Sequence, residues 1–279
     1  MSVQLVAVLV NVALAVMKFT VGTLAGSQAL IADAFNSTGD VVATSVAWMA
    51  FRYAAKPPDA DHHYGHANAE ALAGLLIGAT ICATGIFICT DGVRALIAGH
   101  HKPAPETLAL WGAGVTAVVK EALCRVSLTV GRRNNSPTLL ASARDHRADV
   151  FASLVALLGI LIARLGYPIF DPIAASVIGV YIFLLGFAPL RTNIAILMHE
   201  SPKELDQLAL DAASKVQGVV RVTQVRVQPL GGSHRMDMVL LVTGGLTVRE
   251  AHEIAHRAEE RVIAAVPNVL EVHVHVEPA

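Results

Sequence analysis

Two short stretches place acidic and amide side chains where an apolar chain has least reason to carry them. The first reads Ala32-Asp33-Ala34-Phe35-Asn36-Ser37-Thr38-Gly39-Asp40 and the second Ala143-Arg144-Asp145-His146-Arg147-Ala148-Asp149, each inside a long hydrophobic run. An ionised group at mid-helix in lipid costs about 2.5–3.5 kcal/mol, so it needs a reason to be there. Asn36 with Asp40, and Asp145 with Asp149, are spaced i,i+4, which stacks each pair on one face of a helix. Where the two faces meet, one amide oxygen and three carboxylates converge, a cation site by charge and geometry. The competing reading puts Asp145, Asp149, Arg144 and Arg147 in the headgroup region as salt-bridged helix-end charges. It explains the charges, but neither the matched spacing nor the Asn36/Asp40 pair deep in its helix. Asp33 lies on a different helical face from Asp40, as a partner for the arginines or a proton group.

A second candidate lies in the loop Asp59-Ala60-Asp61-His62-His63-Tyr64-Gly65-His66, where Asp59, His62 and His66 offer the mixed oxygen and nitrogen ligands that suit transition metals. A His-rich polar loop is also an ordinary solvated loop. Cys82, Cys89 and Cys124 all fall in apolar segments without C-x-x-C spacing, so they read as small buried hydrophobes.

The elements that position these groups follow from composition. With 279 residues, 54% hydrophobic and only 15% charged, and a positive mean hydropathy, the chain is too apolar for an ordinary soluble domain. A net charge of -1 without a basic stripe excludes a nucleic-acid footprint. Membrane spans need roughly 20 apolar residues, and six candidates occur at about 4–24, 29–53, 68–98, 107–130, 141–165 and 170–190. The first has no basic leader and no small-residue cleavage site, so it reads as a mature span. An even count puts both termini on one side. Arg52, Lys56, Arg132, Arg133 and Arg191 outweigh Arg94, Lys102 and Arg164 on the opposite side, which makes the termini cytoplasmic.

Residues 1–200 thus read as a six-helix transmembrane bundle and 201–279 as a cytoplasmic domain, with the boundary near Ser201-Pro202. The tail has soluble-domain charge density and the order helix 203–216, strand 219–229, a Gly231-Gly232-Ser233 turn, strand 235–243, helix 248–265 and strand 269–276. This αββαβ order is ferredoxin-like, an open sheet with two helices on one face. Thr247 and Glu250 fit a capping box at the start of the second helix.

The segments 26–40, His63-Tyr64-Gly65-His66-Ala67-Asn68-Ala69-Glu70 and Asp145-His146-Arg147-Ala148-Asp149 together resemble the cation diffusion facilitator family, and the resemblance runs over the whole chain. It implies a transport site on Asn36, Asp40, Asp145 and Asp149. It also implies a homodimer in the cell (inner) membrane that exchanges divalent metal for protons by alternating access, with no prosthetic group. Zinc carriers of this family usually have one His in the quartet. Here Asp145 takes that place, and His146 lies about 100° around the helix, away from the site. An all-oxygen quartet favours manganese or ferrous iron over zinc, with a zinc-type carrier as the alternative. The same resemblance makes Asp237, His252 and His275 candidate tail ligands, with Glu277 weaker and Val239 standing where a His is common.

Two other classes compete. His252-Glu253-Ile254-Ala255-His256 spells the H-E-x-x-H of zinc proteases. Here it falls on a soluble helix with no evident third ligand, and it leaves the quartet without a role. A non-transporting membrane sensor or scaffold is the third class.

Overall fold

The computed structural model describes residues 3–98, 104–133 and 137–279. Six long helices come first: α1 (Val3–Ala25), α2 (Gln28–Ala54), α3 (Asn68–Ile97), α4 (Thr107–Arg133), α5 (Pro137–Arg164) and α6 (Phe170–Leu197). The tail follows as α7 (Lys203–Ser214), β1 (Val219–Leu230), β2 (Ser233–Val242), α8 (Val248–Ala265) and β3 (Val269–Pro278). Lys102, weighed above in the charge asymmetry, lies outside the described residues. Helix α6 continues to Leu197, past the end expected at 190, with Pro189 inside it. The freed carbonyl of such a proline is re-satisfied locally in membrane helices, so Pro189-Leu190-Arg191 is not the stop it resembles.

Five of these helices are long and apolar enough to cross a membrane: Ala7–Ala25, Asn68–Ile97, Thr107–Arg133, Ser142–Arg164 and Phe170–Leu197. Helix α2 has 27 residues but is not among them. Its first half carries Asp33, Asn36, Ser37, Thr38 and Asp40, and Asp33, Asn36 and Ser37 are buried by protein. The helix that holds half of the candidate site is therefore the one whose composition least resembles a span.

The chain forms two compact units, Met1–Val46 with Leu76–Pro189, and Ala47–Leu75 with Leu190–Ala279. The core of the first is built on alanines such as Ala29, Ala32, Ala113 and Ala156 around Leu30 and Ile160. Small residues let helices approach closely where no hydrophobic effect pulls them together. A Cβ at Gly85 would collide with the α6 backbone at Phe183, and one at Gly179 with the α3 backbone at Cys89. The turn from α1 to α2 is equally tight: Gly26 adopts φ 70°, and the Ser27 amide donates to the Gly22 carbonyl at 3.0 Å, a Schellman closure. Ser27 Oγ then accepts from the Leu30 amide at 3.1 Å as the cap of α2. This hairpin lays Lys18 of α1 against Asp33 and Ser37 of α2.

In the tail, β1 and β2 pair antiparallel around a two-residue Gly231-Gly232 turn, with Leu230 opposite Ser233. Strand β3 returns through α8 to pair parallel with β2. Met236, Met238 and Leu240 point from the central strand into a core with Ala213, Ala258 and Val262 of the two helices, and burying each such large side chain contributes about 1.5–3 kcal/mol. Thr247 and Glu250 form both hydrogen bonds of the capping box.

Candidate metal site

Helices α2 and α5 meet through their polar faces. Asn36 Nδ2 donates to Asp149 Oδ1 at 2.9 Å, and Ser153 Oγ donates to Asp33 Oδ2 at 2.8 Å one turn away. His146, Asp149, Ser153, Ala156 and Ile160 make one buried stripe on α5, the three-to-four-residue step of a helix packed along one side. Asp40 lies within electrostatic range of Asp149. Asp145 is exposed but lies within electrostatic range of Asp149, and Tyr181 of α6 lies within range of all three carboxylates. Asn36, Asp40 and Asp149 are thus drawn together, with Asp145 at the edge of their cluster. Among the described residues, the one set of three His, Cys, Asp or Glu ligand atoms all within 4.8 Å of each other is in the loop, so the three quartet carboxylates are not closed to that spacing.

Two lysines complete the cluster. Lys120 of α4 is fully buried, and its Nζ sits on Asp149 Oδ2 at 2.5 Å. Lys18 Nζ lies 2.8 Å from Asp33 Oδ2 and donates to Ser37 Oγ at 2.8 Å. The partners of Asp33 are therefore Lys18 and Ser153 and not the arginines. Arg147 instead faces Glu121, which Arg125 also binds. Lys120 was absent from the sequence-based candidates, although Val118-Val119-Lys120 is as conspicuous a charge in an apolar run as any of the aspartates.

His146 also departs from expectation. Its rotation from Asp145 was expected to turn it away from the site, but it is buried at 5% exposure. It lies i,i+3 from Asp149, and three-residue neighbours share a helix face as four-residue neighbours do. Neither ring nitrogen has a hydrogen-bond partner.

A cavity of about 360 Å³ opens between α2, α3 and α6, and Asn36 and Asp40 line it. Its threonines are turned away from chemistry: Thr38, Thr80 and Thr84 each donate to the carbonyl one turn back on their own helix. The amide and carboxylate of α2 therefore face a largely apolar space, where charge interactions are stronger than in water.

The loop group is compact. Asp59 Oδ1 accepts from the His62 amide at 2.7 Å and the Asp61 amide at 3.0 Å, and Gly65 at φ 77° turns the chain to bring His66 back. His66 Nε2 lies 3.3 Å from Asp59 Oδ2 and His62 Nδ1 lies 3.1 Å from Asp59 Oδ1. The His66 ring packs edge-on against Tyr53. The His62 amide, followed by the side chain of His62 and the Asp61 amide, holds the Asp59 carboxyl below its ordinary range.

The tail candidates are not gathered in one chain. Asp237 and His275 lie exposed on the open side of the sheet, but the register sets Asp237 opposite His273 and His275 opposite Val239. His252 is exposed on α8, its ring stacked 6.2 Å from that of His256, and His256 is paired with Glu259. The histidine that the register sets beside Asp237 is His273, which the sequence alone does not single out from His275.

Against known proteins, residues 4–198 match the cation efflux transmembrane domain and residues 202–279 the cytoplasmic domain of cation efflux proteins. The manganese efflux system protein MneP of Bacillus subtilis is 30% identical over 99% of this chain and 95% of its own length. The magnetosome protein MamB of Magnetospira sp. is 31% identical over 96% of this chain and 92% of its own length. A solved structure of the MamM C-terminal domain covers 28% of this chain and 98% of its own length at 27% identity, with a TM-score of 0.27. With both domains matched end to end and a polar cluster at the meeting of its second and fifth helices, the chain belongs to the cation diffusion facilitator family, multi-pass membrane proteins that transport metal cations and are not enzymes.

Proposed function

We propose that this protein exports a divalent metal ion from the cytoplasm across the cell membrane in exchange for protons, by alternating access in a homodimer. Asn36, Asp40, Asp145 and Asp149 are the transport ligands in this reading. The observation that carries it is the 2.9 Å bond from Asn36 to Asp149, which joins the two i,i+4 pairs across the α2–α5 contact. Three carboxylates and an amide oxygen are hard donors, which favours Mn(II) or Fe(II) over Zn(II). The similarity to a manganese efflux protein agrees with that preference. Both termini and the tail face the cytoplasm in this arrangement, from the Lys/Arg bias of the loops.

Asp59, His62 and His66 form a second, non-transporting metal site with one carboxylate and two imidazoles. Its support is the convergence of three ligand atoms within 4.8 Å. On the tail, Asp237 and His273 share the open side of the sheet and are the ligands we favour there.

Reconstituted vesicles test the whole reading. Mn(II), Fe(II), Zn(II) and Co(II) are offered side by side with a pH-sensitive dye on the opposite side. Mn(II) or Fe(II) should move fastest, with counter-movement of protons. Zn(II) moving fastest supports the zinc-type carrier, and no metal movement supports a sensor or scaffold.

A further inference from the structure

Asp149, a buried member of the quartet, is already engaged on both of its carboxylate oxygens. Asp149 accepts Lys120 Nζ on Oδ2 and the Asn36 amide on Oδ1. An ammonium on Oδ2 competes with a divalent ion for that oxygen and repels it at close range, so the two oppose each other on this carboxylate. Asn36 can swing its own oxygen round by turning its amide. For the metal to take Oδ2, Lys120 has to move off it, and its ammonium, fully buried on α4, cannot be left without an acceptor.

An acceptor is waiting one turn along α5. His146 is 5% exposed with both ring nitrogens unpartnered, although buried polar groups are nearly always hydrogen-bonded. Because it sits i,i+3 from Asp149, it shares the buried stripe on which Lys120 already rests. It lies within electrostatic range of both Lys120 and Asp149. A neutral imidazole offers one lone pair to a donor, and no partner fixes which nitrogen carries it. Lys18 is placed differently: Asp33 and Ser37 both hold it, away from the ligands.

We propose that Lys120 is a tethered cation that exchanges with the transported metal on Asp149, its ammonium moving to His146 when the metal is bound and returning when the metal leaves. The lysine keeps its proton in both positions. The divalent ion takes the place of a single positive charge on Asp149, so the returning ammonium keeps the carboxylate compensated and lowers the metal's affinity enough for release. The proposal rests on the transport-site reading, and it makes Lys120 and His146 positioning residues, not ligands.

The test is equilibrium Mn(II) binding to the full-length purified protein, counting the binding that Asp149→Asn removes. Lys120→Met should tighten that binding by about tenfold or more, since the competing cation is gone. His146→Leu should loosen it several-fold in the wild-type background and have no effect in the Lys120→Met background, a coupling that a double-mutant cycle reads directly. Unchanged or weaker binding in folded Lys120→Met overturns the proposal. So does a His146→Leu effect of equal size in both backgrounds, which would make His146 a metal ligand in its own right. If Lys120→Met does not fold, Lys120→Arg decides: a guanidinium held bidentate on Asp149 should weaken Mn(II) binding by about tenfold, and unchanged or tighter binding overturns the idea. Mn(II) binding that survives Asp149→Asn in full would instead sink the transport-site reading.

Discussion

Lys18 and Asp33 form a fully buried ion pair, 2.8 Å between Nζ and Oδ2, that ties α1 to α2. Ser153 extends it to α5 through a 2.8 Å hydrogen bond to the same carboxylate oxygen. Removing one partner of such a pair leaves an uncompensated charge and costs about 3–5 kcal/mol, whereas replacing both by apolar side chains of similar volume is often close to neutral. Lys18→Met alone should therefore lower the thermal unfolding temperature of the detergent-solubilised protein sharply, and Lys18→Met with Asp33→Leu should restore most of it. Equal loss in the single and double variants would show that the pair does more than hold the helices.

Asp145→His should shift transport toward Zn(II), since imidazole nitrogen suits zinc better than manganese and Asp145 stands i,i+4 from Asp149 at the edge of the cluster. Parallel Mn(II) and Zn(II) uptake rates check this. An unchanged ratio would assign selectivity to the groups around the ligands.

In the loop, His66→Ala should abolish one equivalent of metal binding per chain, because it removes the only buried ligand of the three. The Asp59 carboxyl, held low by the amides of its own turn, stays ionised to below its ordinary pKa of about 3.9. Asp59→Asn should therefore weaken binding throughout the pH range 5 to 8 and not only at its acid end. Calorimetric titration at several pH values gives the answer, and an Asp59→Asn defect confined to low pH would contradict it.

At the start of α8, the backbone amide of Thr247 and then its hydroxyl depress the Glu250 pKa. A carboxyl with a lowered folded pKa contributes stability that is fully present above its unfolded value, about 4.3, and is lost as pH falls through the folded value. Hydrogen exchange in the first turn of α8 should be flat from pH 7 to 5 after correction for intrinsic rates, and opening should become easier below about pH 4.3. Thr247→Ala should make opening easier by about 0.5–2 kcal/mol at neutral pH. An Ala variant with unchanged protection would mean that the helix end is held elsewhere.

Much of this was legible in the sequence for identifiable reasons. Long apolar runs and the Thr247/Glu250 signature gave the elements, and the i,i+4 spacing of Asn36/Asp40 and Asp145/Asp149 marked the two helices that meet. What failed was rotation and register. The charges Arg144, Asp145, Arg147 and Asp149 spread around the first half of α5, so no apolar stripe there shows which side is buried: His146, expected to turn away, is buried and Asp145 is exposed. Lys120 stands out as a charge in an apolar run, but its partner is set by how α4 packs on α5 and not by any local spacing. In β3, His273 and His275 alternate identically along the strand, and the irregularity between His234 and Arg235 helps decide which of them faces Asp237.

The central claim is that metal crosses through Asp40 and Asp149, and Mn(II) uptake into vesicles carrying wild-type, Asp40→Asn or Asp149→Asn protein tests it most directly. Each substitution takes one of three carboxylate charges from the site but keeps a side-chain oxygen, which at position 149 can still accept from the buried Lys120, so both variants should remain folded dimers and fall to the uptake of empty vesicles. Near-normal uptake in both would contradict the account.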